Sequence, residues 1–252
     1  MCSLKAAYLN ELYKISKKKK IIVAAILSIA AIIVAALIVS SINNFMGIRM
    51  GGTFPVMVLS VLNHTLIPLF TAFLCIDMFG GELLDGTIKF TLTRPTTRLK
   101  VYLSKMLAVA TFIMANLLFI MVLSFVLSLF VKGATASFLQ TAMSFFPILL
   151  AHIASFFPLF IFALLVMVIS NIVRGTTGAF LLTILIYLVF LGLQIGFSGY
   201  QSFFFTSLFD WYNLFLGSYI NWHKIFRVLL IFTGFGTMLF GTGYYLFERK
   251  QI

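Results

Sequence analysis

The chain holds several stretches of about 20 residues or more that carry almost no charge, longer and more apolar than the core helix of a soluble domain. Ile21 to Ile42 and Gly175 to Ile195 contain no charged side chain, and Ala142 to Ser170 contains none either. Hydrocarbon offers no partners to backbone N–H and C=O groups, so a spanning segment must be a helix or part of a closed barrel. Barrel strands would be roughly 10 residues long with strict alternation, which these unbroken runs lack. With 62% hydrophobic and 10% charged residues in 252, and a mean hydropathy of +1.13, the chain could not cover itself with polar surface as a soluble globule. The sequence therefore predicts an all-α integral membrane protein with a single transmembrane domain. Its six spans are expected at about 21–42, 56–79, 104–130, 142–170, 175–195 and 225–247.

The formal charge of +12 is distributed as a topology signal. Fourteen of the eighteen Lys and Arg fall before the first span, between spans two and three, at Arg174, or at Arg249 and Lys250, whereas Arg49, Lys132, Lys224 and Arg227 lie in the alternate loops. The positive-inside rule then predicts both termini in the cytoplasm and an even number of spans in the cell membrane. Lipid would compete for the same basic surface, so no nucleic-acid partner is expected. Cys2 and Cys75 are too few and too separated in setting to suggest a disulfide framework.

Ahead of the first span, Leu4, Ala7, Tyr8, Leu12 and Ile15 recur at helical spacing, with Lys5, Glu11, Lys14 and Lys18 read as lying off that face. This predicts an interfacial helix, with Lys17 to Lys20 contacting membrane lipid as well as marking the start of insertion. In the first span, Ala31 and Ala35 have the spacing of a close packing seam. Pro68 should kink the second span. His64 can serve as a proton carrier or, more commonly, as a helix-to-helix hydrogen bond. Asp77 belongs to the inner face.

The one polar island is Gly81 to Lys105, GELLDGTIKFTLTRPTTRLKVYLSK, which holds two of the six acids and five basic residues. Gly80 and Gly81 break the preceding span, and Glu82 to Lys89 begins like a helix with acids in its first turn, where the macrodipole favours them. Arg94, Pro95 and Arg98 mark a turn and a new helix start, and Lys105 lies on the way back into the membrane. Segment 81–103 is thus expected to be a cytoplasmic loop.

The order Glu82…Gly86-Thr87-Ile88…Leu92-Thr93-Arg94-Pro95-Thr96-Thr97-Arg98-Leu99…Lys105 between spans two and three resembles the membrane subunit of type-two ABC exporters, nearest to the bacterial branch that exports antimicrobial peptides and drugs. The six-span layout and the N-terminal helix extend the resemblance over nearly the whole chain. It implies that Glu82, Asp85, Gly86, Thr87, Ile88 and Lys89 form a coupling helix seated on a cytoplasmic ABC ATPase, present in two copies. It implies a second permease as well, either an identical copy forming a homodimer or a related chain. No G-x-x-x-x-G-K-[ST] loop occurs here, so ATP and magnesium are expected on the ATPase and no cofactor on this chain.

Later in the chain, Ser-Phe-Phe-Pro occurs at 144–147 and again at 155–158, about three helical turns apart. Two prolines, Pro147 and Pro158, in one span predict a bent or broken helix with His152 between them. The bend is either structural or part of a gated pathway. Gly192 and Gly196 make a G-x-x-x-G near the end of span five. Segment 197–223 is crowded with aromatics and holds a single acid, Asp210; it suits one or two re-entrant or interfacial helices at the outer leaflet. Asp210 would serve as a helix cap, a partner for Arg227 or Lys224, or a cargo contact.

No H-E-x-x-H, Cys/His metal spacing or nucleophile elbow is present, so the chain reads as a transport subunit and not an enzyme. Near-absence of acids within the spans argues against coupling to an ion gradient. The expected function is ATP-driven export of an amphipathic or hydrophobic cargo, a toxin-like, antimicrobial or cytolytic peptide foremost. A non-transporting membrane scaffold and an ion-coupled carrier are the contrasting readings.

Overall fold

The computed structural model describes residues 4–46, 54–81, 97–128, 130, 145–173, 175–196, 205–217 and 221–249. Among these residues the architecture is helical throughout, with no strand. The elements are α1 (Leu4–Ser16), α2 (Lys19–Met46), α3 (Phe54–His64), α4 (Leu66–Ile76), a π turn (Asp77–Gly81), α5 (Arg98–Ser128), α6 (Phe145–Ile172), α7 (Thr176–Gly196), a 3-10 helix (Phe205–Phe215) and α8 (Trp222–Arg249). Among the described residues five helices are long and apolar enough to cross a membrane, and α3 with α4 and the π turn makes a bent pair that passes the same test only when taken together, as a broken span or a re-entrant loop. This is a multi-pass membrane protein with five candidate spans, or the six expected if the bent pair crosses the membrane as one. The third span begins earlier than expected, at Arg98, because Thr97 caps it: the Thr97 hydroxyl accepts from the Lys100 N–H at 3.4 Å. Arg98, expected within the loop, is therefore helical, and Lys105 lies two turns into α5.

The bend in the second span is 43° and falls at Thr65. Pro68 has no N–H to donate to the carbonyl four residues earlier, which is that of His64, so the helix gives way there. Pro158 poses the same problem within α6, where the carbonyl of Ala154 loses its partner, yet α6 continues through it as one helix. Pro147 interrupts nothing. It is the third residue of α6, in the first turn, where a missing N–H costs no intrahelical bond. The expectation of a helix bent or broken by two prolines is thus corrected: only Pro158 lies in the interior of α6, and the helix is not broken there.

Helix α6 is the hub. In its most apolar window 67% of residues are buried, against 17% for α2 and 11% for α7 and for α8. The peripheral helices expose apolar belts, Ile22, Ile26 and Leu37 on α2, Leu181, Leu185 and Leu188 on α7, and Phe226, Leu230 and Met238 on α8. Such side chains are stable against lipid and not against water. Small residues set the close contacts. A Cβ on Gly243 of α8 would stand 2.6 Å from the Tyr102 hydroxyl and 3.0 Å from Met167 Cε, so α8 reaches α5 and α6 only because that position is glycine. Ala31 and Ala35 of α2 pack against the core as their spacing suggested. Gly192 and Gly196 approach nothing: a Cβ on either meets no atom within 4 Å among the described residues.

Candidate functional site

The polar groups gather at two ends of the bundle. At the first end, which carries the basic residues, the centre is Lys105, fully buried at 0% exposure on α5. Its Nζ lies 3.3 Å from Glu11 Oε2 and donates to the Met78 carbonyl of the π turn at 3.0 Å. It also stands 5.8 Å from the centre of the Phe79 ring. Glu11, 2% exposed, accepts from Lys14 Nζ at 2.8 Å through its other oxygen. A buried ion pair is tolerable only when the remaining donors and acceptors are met, and here both carboxylate oxygens have partners.

Glu11 was expected off the apolar face of α1, and the structure corrects this. Leu4, Tyr8, Glu11 and Ile15 follow one another by three or four residues on a single stripe, and that stripe packs on α5 where Lys105 awaits a countercharge. Two further ties close the same end. Asp77, the first residue of the π turn, accepts from Lys18 Nζ at 2.6 Å and from Lys20 Nζ at 2.9 Å. The Arg98 guanidinium donates to the Glu248 carbonyl, joining the start of α5 to the end of α8. Glu82, Asp85, Gly86, Thr87, Ile88, Lys89, Arg94 and Pro95 lie outside the described residues, as do Lys132 and Arg174. The chain leaves the π turn at Gly81 and is described again at Thr97, so segment 82–96 is flanked on both sides by this junction.

At the opposite end the 3-10 helix is pinned by groups from three other helices. Asn63 Nδ2 donates to the Phe209 carbonyl at 2.8 Å. The Asp210 carboxylate lies 2.9 Å from His64 Nε2; a carboxylate only accepts, so this nitrogen carries the proton. The partners expected for Asp210, Arg227 or Lys224, are replaced by His64, and Asp210 sits within the 3-10 helix and does not cap it. The Trp211 indole N–H donates at 2.8 Å to the Ala154 carbonyl, the one that Pro158 orphans. The Tyr187 hydroxyl of α7 donates at 2.8 Å to the His64 carbonyl, the one that Pro68 orphans. Both proline-made vacancies in the hydrogen-bond ladders are thus filled by an aromatic donor from another element. Around Trp211, the rings of Phe157, Phe215 and Phe232 stand edge to face at 5.8, 5.3 and 5.0 Å. Burial raises the Tyr212 phenol above the ordinary tyrosine range; a hydrogen bond with Ser60 opposes the shift and the Asp210 charge adds to it.

His152 does not join this assembly through any contact described. It is buried, with Nδ1 2.8 Å from the Ile148 carbonyl of its own helix, and its Nε2 has no partner among the described residues. Between α4 and α7 lies a cavity of ≈ 380 Å³ whose walls are mostly apolar, with His64, Thr65, Thr183 and Tyr187 as its polar groups. Among the described residues no three His, Cys, Asp or Glu side chains converge as metal ligands would.

Sequence reading missed Glu11, Tyr187, Trp211 and Asn63 as structural contacts. The signal for the middle two was present in principle, since each interior proline leaves a carbonyl in need of a donor. Residues 8–191 match the family model described as ABC-2 family transporter protein. No curated protein matches the chain. With most of its length inside that match, the chain belongs to the ABC-2 family of transporter proteins, as a membrane-spanning permease subunit of an ABC transporter.

Proposed function

We propose that this permease exports an amphipathic or hydrophobic cargo, of the class of antimicrobial or cytolytic peptides, driven by two ABC ATPase chains docked at its basic end. The positive-inside rule assigns that end and both termini to the cytoplasm. Glu82 to Lys89 form the contact with the ATPase, which holds ATP and magnesium, and a second permease copy completes the transporter. Arg94, Pro95 and Arg98 shape the return into α5. The opposite end, where the 3-10 helix carrying Asp210 closes over the proline breaks, is the outer seal.

The observation that carries the reading is the buried Lys105 junction. It joins α1, the π turn that leads to Glu82, and α5 through charge-assisted hydrogen bonds, so a push on segment 82–96 reaches three elements together. The apolar cavity between α4 and α7, with a few polar groups at its edge, supports an amphipathic cargo.

ATP hydrolysis by a cognate ABC ATPase, reconstituted with this chain in lipid, tests the reading. Wild-type complex should hydrolyse ATP faster when an amphipathic peptide is added. Glu82→Ala should keep the complex but lose that stimulation. Absence of any association between the two chains would overturn the reading in favour of a scaffold, and movement of cargo along an ion gradient without ATP would overturn it in favour of a carrier.

A further inference from the structure

At the basic end α2 and α4 stand apart and enclose a crevice of ≈ 320 Å³. Its walls are hydrocarbon, with Ala24 and Leu27 on one side and Phe73 on the other, and its mouth is formed by Lys18, Lys19, Lys20 and Asp77. Asp77 already accepts from Lys18 and Lys20, and Lys19 is exposed with no ion pair among the described residues. One carboxylate and three lysines therefore line the crevice together, leaving a positive excess beside an apolar slot.

That combination selects the occupant. A soluble anion would gain from the lysines and nothing from the slot. A zwitterionic amphiphile would fill the slot and leave the surplus charge unmatched. We propose that the crevice binds a single anionic phospholipid, its phosphate against Lys19 and the upper part of one acyl chain between Leu27 and Phe73. This is a defined site, distinct from the diffuse attraction that any polybasic segment exerts on a negative membrane surface. It does not depend on the transport reading, because its test requires neither ATPase nor cargo.

The test is native mass spectrometry of the full chain released from nanodiscs containing equal amounts of phosphatidylglycerol and phosphatidylcholine. Wild type should retain one phosphatidylglycerol with a several-fold preference over phosphatidylcholine, and excess glycerol phosphate should not displace it. Lys19→Glu should bring the two lipids to near parity. Leu27→Trp, which fills the slot from an exposed position, should remove the retained lipid. Lys5→Glu makes the same change of net charge on α1 and should keep the preference. Equal retention of both lipids by wild type would overturn the proposal, and so would displacement by glycerol phosphate. An equal loss of preference in Lys5→Glu, or unaltered retention in both crevice variants, would also overturn it.

Discussion

Glu11 and Lys105 form a pair that is costly to keep by halves. Removing one partner leaves the other charged and buried, at about 3–5 kcal/mol, whereas exchanging both for apolar residues of similar volume is often neutral. Lys105→Met alone should therefore lower the thermal midpoint of the detergent-solubilised protein sharply. Glu11→Met/Lys105→Met should recover most of it. If the junction transmits the ATPase stroke, the double variant should remain folded yet lose peptide-stimulated hydrolysis, which separates its mechanical part from its share of stability. Gly243 offers a second test at this scale. Gly243→Ala would place a methyl 2.6 Å from the Tyr102 hydroxyl, within contact range of Met167, and such overpacking costs about 1–3 kcal/mol in melting experiments.

At the scale of elements, the 3-10 helix and the two proline breaks form one unit. Trp211→Phe leaves the Ala154 carbonyl without its donor, and interhelical hydrogen bonds within membranes are worth on the order of 1 kcal/mol. In a Pro158→Ala background the new N–H of residue 158 can serve that carbonyl, so Trp211→Phe should then cost measurably less. Tyr187→Phe and Pro68→Ala should show the same coupling in a double-mutant cycle. Asp210→Ala should speed hydrogen exchange across 205–215, while Asp210→Asn, which retains an acceptor for His64, should do so less. Much of this scale was legible from the chain. The apolar runs announced an all-helical membrane protein, and Pro68 announced the bend. Partner choice was not legible: Asp210 had nearer basic residues in sequence, and only the folding of α3 beneath the 3-10 helix gave it His64. Glu11 was misread because polarity was allowed to outweigh its place on the Leu4–Tyr8–Ile15 stripe. For segment 82–96, the motif speaks and the described residues do not.

For the whole molecule, the distribution of burial matters most. α6 is enclosed by its own chain, while α2, α7 and α8 present apolar belts that lipid or a second permease must cover. Among the described residues the ion pairs lie towards the two ends, around Glu11, Asp77 and Lys105 at one and between His64 and Asp210 at the other. Tilting or sliding of the helices in the proposed transport cycle would therefore strain the ion pairs at the ends first. Cross-linking across the basic end, for instance between cysteines introduced at Lys18 and Asp77, should suppress peptide-stimulated hydrolysis if α2 and the π turn separate during turnover. Unchanged turnover would show that they move together.

The two aromatic donors at the proline breaks impose a condition on any opening of the end that carries the 3-10 helix. When the 3-10 helix lifts away, the Ala154 carbonyl is stripped of its indole partner, and if α7 swings out, the His64 carbonyl loses its phenol. Each proline removes the usual i+4 donor to its carbonyl, and in hydrocarbon each vacancy would be penalised. Water supplies the missing donor at little cost. If the end carrying the 3-10 helix opens as the proposed export requires, water behind it would lower the cost of exposing these two carbonyls, whereas lipid tails would not.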